Sequence, residues 1–117
     1  MKGLPDSKIY ELELRYWPYK ASWKKVLDYL CQNAPNNGTL LDLMCGPGYL
    51  LGKISSKRKD LQLKGLDIDK RYISYSKKQY PQIDFGRGDI LSWKPDKLYN
   101  VVIWGKVKYL PPNLINV

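Results

Sequence analysis

A short glycine loop is the first stretch of the chain whose residue types could bind a ligand. Gly46 and Gly48 bracket Pro47 in "LLDLMCGPGYL". A backbone without side chains can turn sharply and approach a ligand closely before a helix presents its positive N-terminal end. A tight turn between a strand and a helix has the same pattern. The loop alone therefore leaves both interpretations open.

Aspartates later in the chain favour the binding interpretation. Asp67 stands nineteen residues after Gly48 in "KGLDID", where a short carboxylate can accept hydrogen bonds from both hydroxyls of a ribose. Asp89 in "GRGDIL" could accept from an exocyclic amine, with apolar Ile90 beside it. Asp67 or Asp69 could instead cap the helix that follows. Asp69 suits the cap better, and Asp67, which closes a strand, suits the ribose better.

Alternating strands and helices must position these residues. The apolar pattern predicts strands over 39–44, 61–67, 82–87 and 99–105, with helices over about 49–56 and 70–79. This order predicts right-handed crossovers and a parallel sheet with helices on both faces. Ligands of such sheets bind beyond the carboxyl ends of the strands. The loop and the aspartates, Asp42 included, are therefore expected at one edge.

The remaining sequence fits one domain. A chain of 117 residues holds one modest core, so we expect a single domain over 1–117. Apolar residues at helical spacing before and after Pro18 predict an N-terminal helical segment over 6–33.

Composition limits the kind of site and the location. Two cysteines and no histidine provide neither a disulfide framework nor a zinc site. The chain also lacks the commonest general base, because it contains no histidine. No apolar run approaches the roughly 18 residues that span a bilayer, and the N-terminus lacks a secretory signal. We therefore expect a cytoplasmic protein that binds no metal and no membrane.

The charge points to a possible class of partner. Twenty Lys and Arg against eleven Asp and Glu give a net charge of +9, which attracts phosphate-rich partners such as nucleic acid. Because the basic residues are scattered along the chain, an ordinary solvated surface explains the same composition.

Four segments together resemble a known family. "LLDLMCGPGYL", "LKGLDIDKRYISYSKK", "FGRGDILSW" and "YNVVIWGKVKYLPPNL" are similar, in order and spacing, to the class I S-adenosylmethionine-dependent methyltransferases over about residues 39–114. The resemblance implies an α/β Rossmann-like sheet of order 3-2-1-4, truncated after the fourth strand. It also implies S-adenosyl-L-methionine as the cofactor.

The resemblance further implies the residues of the cofactor site. They are Asp42, Cys45, Gly46, Pro47, Gly48, Asp67, Ile68, Asp89, Ile90 and Trp104. By position, Asp42 would hold the amino group of the methionine part. The loop 45–48 would lie under the methionyl and ribose parts.

The later segments would bind the nucleoside. Asp67 would bind the ribose hydroxyls and Asp89 the adenine amine, while Ile68 and Ile90 would pack on the adenine ring. Residues 104–106 would line the cavity where the methyl group is presented.

Two departures from the family pattern generate expectations. Met44 replaces the usual first glycine, so its side chain is expected in the core under the loop; Met44→Gly would then cost stability and leave cofactor affinity nearly intact. The apolar fourth strand would be an unpaired edge. We expect a homodimer partner, a second chain carrying the missing half, or further sequence to cover it.

These features predict a methyltransferase acting on an unidentified N, O or C nucleophile. Tyr16, Tyr19, Lys106 and Tyr109 are candidates for lining the acceptor side, and no general base stands out. Leu110 precedes the Pro-Pro pair, where amino-methylating nucleic-acid enzymes carry Asn or Asp.

Two alternatives remain open. One is a module that binds S-adenosylmethionine but is catalytically incomplete, or a subunit of a split enzyme. The other is an NAD(P)-binding oxidoreductase domain. Leu51 in place of a third glycine, and the acid at Asp42, weigh against the dinucleotide.

Overall fold

A computed structural model describes residues 20–104, and it describes side chains over 24–103. That part contains three helices and four strands. In chain order they are α1 (Lys20–Asn33), β1 (Thr39–Leu43), α2 (Tyr49–Lys57), β2 (Gln62–Asp67), α3 (Lys70–Gln79), β3 (Asp84–Arg87) and β4 (Val101–Trp104). The expected helix over 6–19 and the expectations for residues 105–117 lie outside the described residues.

The four strands form one parallel sheet of order β3-β2-β1-β4. Leu40 on β1 is in register with Leu63 on one side and Val101 on the other. The predicted order 3-2-1-4 is confirmed. Because all strands run in the same direction, their carboxyl ends meet at one edge. This edge carries the loops after β1, β2 and β3.

One face of the sheet carries the main apolar core. Side chains alternate between the two faces of a strand. On one face, the apolar side chains of each strand pack in a single cluster with side chains from all three helices. Its buried members from the strands are Leu40, Leu63, Phe85, Val101 and Ile103, and those from the helices are Leu27, Leu30, Leu50, Leu51, Ile54 and Ile73. Removing these side chains from water is the main favourable term that fixes the helices on this face.

The opposite face is covered differently in the described part of the chain. Leu41 and Leu66 are buried there but lie outside the cluster. The loop after β3 packs on Leu66, because a Cβ at Gly88 would lie 3.0 Å from Leu66 Cδ1. All three helices of residues 20–104 contribute to the first face, so a helical layer on this second face stays a prediction.

The later strands begin after their predicted starts, for local reasons. Ile83 N donates to Tyr80 O at 3.1 Å, so a turn occupies the residues before β3. Asn100 accepts from Thr39 N at 2.9 Å through its side-chain oxygen, and this side-chain contact replaces a ladder bond before β4. Within residues 20–104, no helix is long and apolar enough to cross a membrane. The location of the protein and a partner for β4 stay predictions.

Arg58 joins two parts of the chain that are distant in sequence. Its guanidinium donates to the carbonyl oxygens of Cys31, Ala34 and Pro35 at 2.8, 3.1 and 3.2 Å. The same group holds Asp60 through two bonds of 2.8 Å. Carbonyls at a helix C-terminus have no partner inside the helix. Arg58, which directly follows α2, therefore provides hydrogen bonds to the carbonyl groups at the end of α1.

Replacing Arg58 should destabilise the domain without disturbing the opposite edge. We expect Arg58→Ala to lower the free energy of unfolding by about 1 to 2 kcal/mol, because charge-assisted bonds to these carbonyls are lost. Arg58→Lys should recover less than half, since an ammonium lacks the planar fork. Urea unfolding measures both, with Lys57→Ala at an exposed neighbouring position as the control. Equal stability of Arg58→Ala and wild type would contradict this role.

Candidate functional site

The loop after β1 turns sharply at the carboxyl edge of the sheet. Cys45 N donates to Leu66 O on β2 at 2.9 Å, and Gly48 N donates to Cys45 O at 3.2 Å. Gly46 and Gly48 have φ angles of 59° and 87°, in the left-handed region that glycine adopts without a steric cost. Two glycines therefore allow the chain to leave β1 and enter α2 within five residues.

The two loop glycines have different surroundings. A Cβ at Gly48 would lie 2.9 Å from Phe85 Cζ, so Gly48 lets this ring pack beneath the loop. Gly65 on β2 serves the same ring, because a Cβ there would lie 2.7 Å from Phe85 Cδ1. A Cβ at Gly46 would meet nothing within 4 Å. Gly46 therefore borders open space at the edge, where a ligand could approach the backbone.

Asp67 connects the loop after β1 to the loop after β2. Its Oδ2 accepts from Gly46 N at 2.8 Å, and its Oδ1 accepts from Asp69 N at 2.8 Å. Asp67 is buried, with 9% of its surface exposed. Each carboxylate oxygen keeps a second lone pair. Asp67 can therefore hold the loops together and still accept from a ligand hydroxyl.

Asp69 is the helix cap that the sequence suggests. Its Oδ1 accepts from Arg71 N at 2.9 Å at the start of α3. The side chain of Arg71 also contacts the carboxylate at 3.2 Å, and these bonds lower the pKa of Asp69. The expectation that Asp69 caps the helix is confirmed, and the ribose role of Asp67 stays a prediction.

Asp42 is a buried carboxyl group that lacks a complete set of partners. It is 4% exposed, and its Oδ1 has no hydrogen-bond partner among the residues that the structure describes. Burial raises the pKa of Asp42 well above its ordinary value, and the nearby charge of Asp67 raises it further. A buried carboxylate in this position is stabilised by any ligand that brings a positive charge or a donor.

Cys45 fills space inside the loop. A Cβ at Gly65 would lie 2.9 Å from its Sγ, and the thiol contacts Gly46 O at 3.5 Å. Burial raises the pKa of Cys45, and the charges of Asp42 and Asp67 raise it further. The thiol is therefore neutral at physiological pH. A neutral thiol packs as a small apolar group and is a poor nucleophile.

The third part of the site follows β3. Asp89 is exposed, and its Oδ1 accepts from Leu91 N at 2.9 Å. Ile90 beside it is half-buried, and Ile68 after β2 is 59% exposed. Arg87 Nε donates to Ile68 O at 3.0 Å. The loops after β2 and β3 are thereby joined, and each presents an apolar side chain.

The structure brings most of the expected residues to one edge. Asp42, the loop 45–48, Asp67 and Ile68 lie at the carboxyl ends of β1 and β2, and the pair 89–90 follows β3. Pro47 is buried within the loop. The side chain of Trp104 lies outside the described residues, although its backbone ends β4. The contribution of Phe85 was not predicted, because its contacts with Gly48 and Gly65 depend on the register between β2 and β3.

Met44 does not lie in the core. Its side chain is 54% exposed, so the expectation that it packs under the loop is wrong. Its φ angle is 63°, and this left-handed turn points the side chain away from the apolar cluster. A side chain in this conformation costs about 1 to 2 kcal/mol. The loop therefore keeps a strained residue at the position that usually carries glycine.

Comparison with known proteins places this geometry in a family context. Residues 40–116 match the family model described as a methyltransferase domain. The chain is 39% identical over 82 residues to "Putative methyltransferase 235L" of Invertebrate iridescent virus 6, covering 70% of this chain and 30% of that protein. It is 34% identical over 59 residues to trans-aconitate 2-methyltransferase of Sinorhizobium medicae, covering 50% of this chain and 23% of that enzyme. The match thus spans about a third or less of these relatives.

Solved structures share the fold. A TehB-like SAM-dependent methyltransferase from Corynebacterium glutamicum superposes with a TM-score of 0.67 at 18% identity, over 94% of this chain and 62% of that one. SAM-bound CalS10, an amino pentose methyltransferase from Micromonospora echinaspora, gives 0.66 at 19% identity, over 82% of this chain and 41% of that one. At these identities the similarity shows a common Rossmann-like architecture.

Met44→Gly tests whether the exposed side chain contributes to stability. Glycine removes the left-handed strain but increases the entropy of the unfolded chain, so we expect the free energy of unfolding to stay within about 0.5 kcal/mol of wild type or to rise. Urea unfolding provides the measurement. A loss of about 2 kcal/mol or more, typical of a buried side chain, would contradict the exposed position.

Asp42→Asn tests the buried carboxyl group through its pH dependence. The unfolded chain loses the Asp42 proton near pH 3.9 and the native state only at higher pH, so ionisation weakens the native state as pH rises through this interval. Because Asn cannot ionise, we expect the variant to be more stable than wild type at pH 7. The difference should shrink towards pH 4. Thermal unfolding across this pH range measures it.

Asp60→Asn provides a control of opposite sign. Its hydrogen bonds to Arg58 and to Asn37 N lower the pKa of Asp60, so the carboxylate stabilises the native state above the unfolded pKa. We expect this variant to be less stable than wild type at pH 7, with the difference disappearing as pH falls. A gain for both variants would refute the assignment of Asp42.

Proposed function

Because the chain belongs to the methyltransferase domain family, whose model matches residues 40–116, we propose that it binds S-adenosyl-L-methionine and transfers a methyl group. The acceptor atom is a nucleophilic N, O or C. The single observation that carries the proposal is the buried carboxyl group of Asp42, whose Oδ1 lacks a partner among the described residues, at the edge where Gly46 borders open space.

Asp42 fits the amino group of the methionine part. An ammonium beside a buried carboxylate lowers the cost of burying that charge, and it also offsets the repulsion from Asp67. Gly46 supports the same placement, since a backbone without a Cβ leaves the adjoining space open to the ligand. These two features supply one charged contact and one close backbone approach.

Asp67 and the loops beyond it fit the nucleoside. The remaining lone pairs of the Asp67 carboxylate can accept from ribose hydroxyls while its bonds to Gly46 N and Asp69 N hold it in place. Exposed Ile68 and half-buried Ile90 offer apolar contacts for the adenine ring. The exposed carboxylate of Asp89 can accept from the adenine amine.

The cofactor supplies an electrophilic methyl group on its sulfonium. The residues of this chain bind and orient it, and alignment of donor and acceptor can lower a barrier by up to about 7 to 11 kcal/mol. Among the residues with described side chains, none stands out as a general base. The acceptor-side candidates Tyr16, Tyr19, Lys106 and Tyr109 lie outside them.

The two alternative functions differ in the ligand group that would lie at this edge of the sheet. A dinucleotide would bring its pyrophosphate towards a glycine loop whose neighbours Asp42 and Asp67 are acidic, and the third-glycine position is occupied by the fully buried Leu51. We therefore disfavour the oxidoreductase. Binding without transfer is the remaining alternative, since the matched segment covers 30% of the viral relative.

Binding of S-adenosylmethionine and its demethylated product, S-adenosylhomocysteine, tests the proposal by calorimetry. We expect wild type to bind both. Gly46→Ala should weaken the affinity for S-adenosylhomocysteine at least tenfold, about 1.4 kcal/mol, because its methyl group enters the space next to the loop. Gly86→Ala is the matched control, since a Cβ there also meets nothing within 4 Å but lies on β3.

The outcomes separate the three functions. Failure of wild type to bind either compound would refute the methyltransferase and the binding-only module together. Binding without methyl transfer to nucleic-acid, protein and small-molecule pools would favour the binding-only module. Equal affinity of Gly46→Ala and Gly86→Ala would show that the ligand lies elsewhere. Urea unfolding of both variants accounts for the backbone strain of alanine at Gly46.

A further inference from the structure

The outer surface of α2 and α3 is strongly basic. The two helices carry six basic residues and no acidic one in the sequences YLLGKISSK and KRYISYSKKQ. The basic side chains are all exposed; they are Lys53, Lys57, Lys70, Arg71, Lys77 and Lys78. We call this set the α2–α3 basic surface. It places six of the twenty basic residues of the chain on two neighbouring helices.

The two helices lie side by side and form one continuous surface. The rings of Tyr49 on α2 and Tyr75 on α3 meet edge to face, with centroids 6.4 Å apart. Lys53 stands one turn after Tyr49, and Lys78 stands three residues after Tyr75, so the lysines flank this contact on either helix. A phosphate backbone lying across this contact would therefore meet cations from both helices.

The charges of the α2–α3 basic surface are mostly not neutralised within the described part of the chain. Arg71 pairs with Asp69, whereas the five lysines make no ion pair with other residues over 24–103. The opposite side of the sheet differs, because Lys64 pairs with Asp84 at 2.9 Å. The α2–α3 basic surface therefore presents positive charge to solvent that no carboxylate of the described side chains neutralises, apart from the pair made by Arg71.

The position of this surface relates it to the candidate site. α2 begins directly after Gly48, and α3 begins directly after its cap Asp69. Both helices thus start at the edge that holds Asp42 and Asp67, and their positive N-terminal ends point to that edge. A strand bound along the helices would reach the place where chemistry is proposed.

We propose that the α2–α3 basic surface binds a nucleic-acid strand through its phosphates. Nucleic acid fits better than an anionic membrane, because a membrane-bound helix inserts large apolar side chains. The exposed large apolar residues over 24–103 are Tyr29, Met44, Ile68, Leu91 and Leu98, and they lie outside both helices. The binding itself does not depend on the proposed function; only its use to present an acceptor rests on that function.

Anisotropy of fluorescein-labelled single-stranded RNA and duplex DNA, titrated at about 50 and 200 mM salt, tests the proposal. The test variant combines Lys53→Glu with Lys78→Glu. The matched control combines Lys94→Glu with Lys97→Glu, two exposed lysines of the loop before β4, where Lys97 contacts Gln62. Both variants change the net charge equally, so they differ only in the surface altered.

We expect the test variant to weaken binding at least about tenfold and to reduce the salt slope by about 2, one for each lost phosphate contact. The control should change the affinity less than about threefold. Equal losses in both variants would show attraction by overall charge and overturn the proposal. Wild type that binds neither oligonucleotide at low salt would overturn it too.

Three further measurements protect the interpretation. If wild type sediments with phosphatidylserine vesicles but binds no oligonucleotide, the nucleic-acid proposal is overturned and the partner is an anionic membrane. Lys53→Gln with Lys78→Gln removes charge without reversing it, and thermal unfolding checks that each variant folds.

Calorimetry with S-adenosylhomocysteine should give wild-type affinity in the test variant. Oligonucleotide binding by a protein that fails to bind this compound would refute the proposed function and leave this inference standing.

Discussion

The edge of the sheet depends on one residue, Asp67. Its side chain accepts from Gly46 N and Asp69 N, and its carbonyl accepts from Gly88 N at 3.0 Å. A single residue therefore fixes the loops that follow β1, β2 and β3. The carboxylate is buried and accepts from two backbone N–H groups of neighbouring loops, which fixes its position. A ligand bound at this edge would therefore lose little free energy to the ordering of these loops.

The charge of this edge opposes the charge of the protein as a whole. Asp42 and Asp67 form a buried acidic pair at this edge, while the net charge of the chain is +9. Such a pair destabilises the native state on its own, and a nearby cation reduces that cost. The proposed cofactor carries two cationic groups and its product only one. The same field would then hold the donor and release the product more readily.

Much of the fold follows from the sequence because strand and helix periods alternate clearly and the turn residues agree with them. The strand order and the helix cap at Asp69 were predicted for that reason. Met44 was misplaced because an apolar residue was assumed to be buried, whereas its left-handed backbone decides its direction. Arg58 was missed because its acceptors are carbonyls more than twenty residues away, which no side-chain pattern reveals.

The pairing of β4 with β1 has a consequence for how the site comes into being. The contact between Thr39 and Asn100 spans 61 residues, while β1, β2 and β3 pair as consecutive units of the chain. Closing the longer loop costs more entropy and comes at greater sequence separation. Asp42 lies beside Ile103 of β4, so this pairing helps to bury its carboxyl group. The burial of the Asp42 carboxyl group therefore depends on a strand pairing made at greater sequence separation than those of β1, β2 and β3.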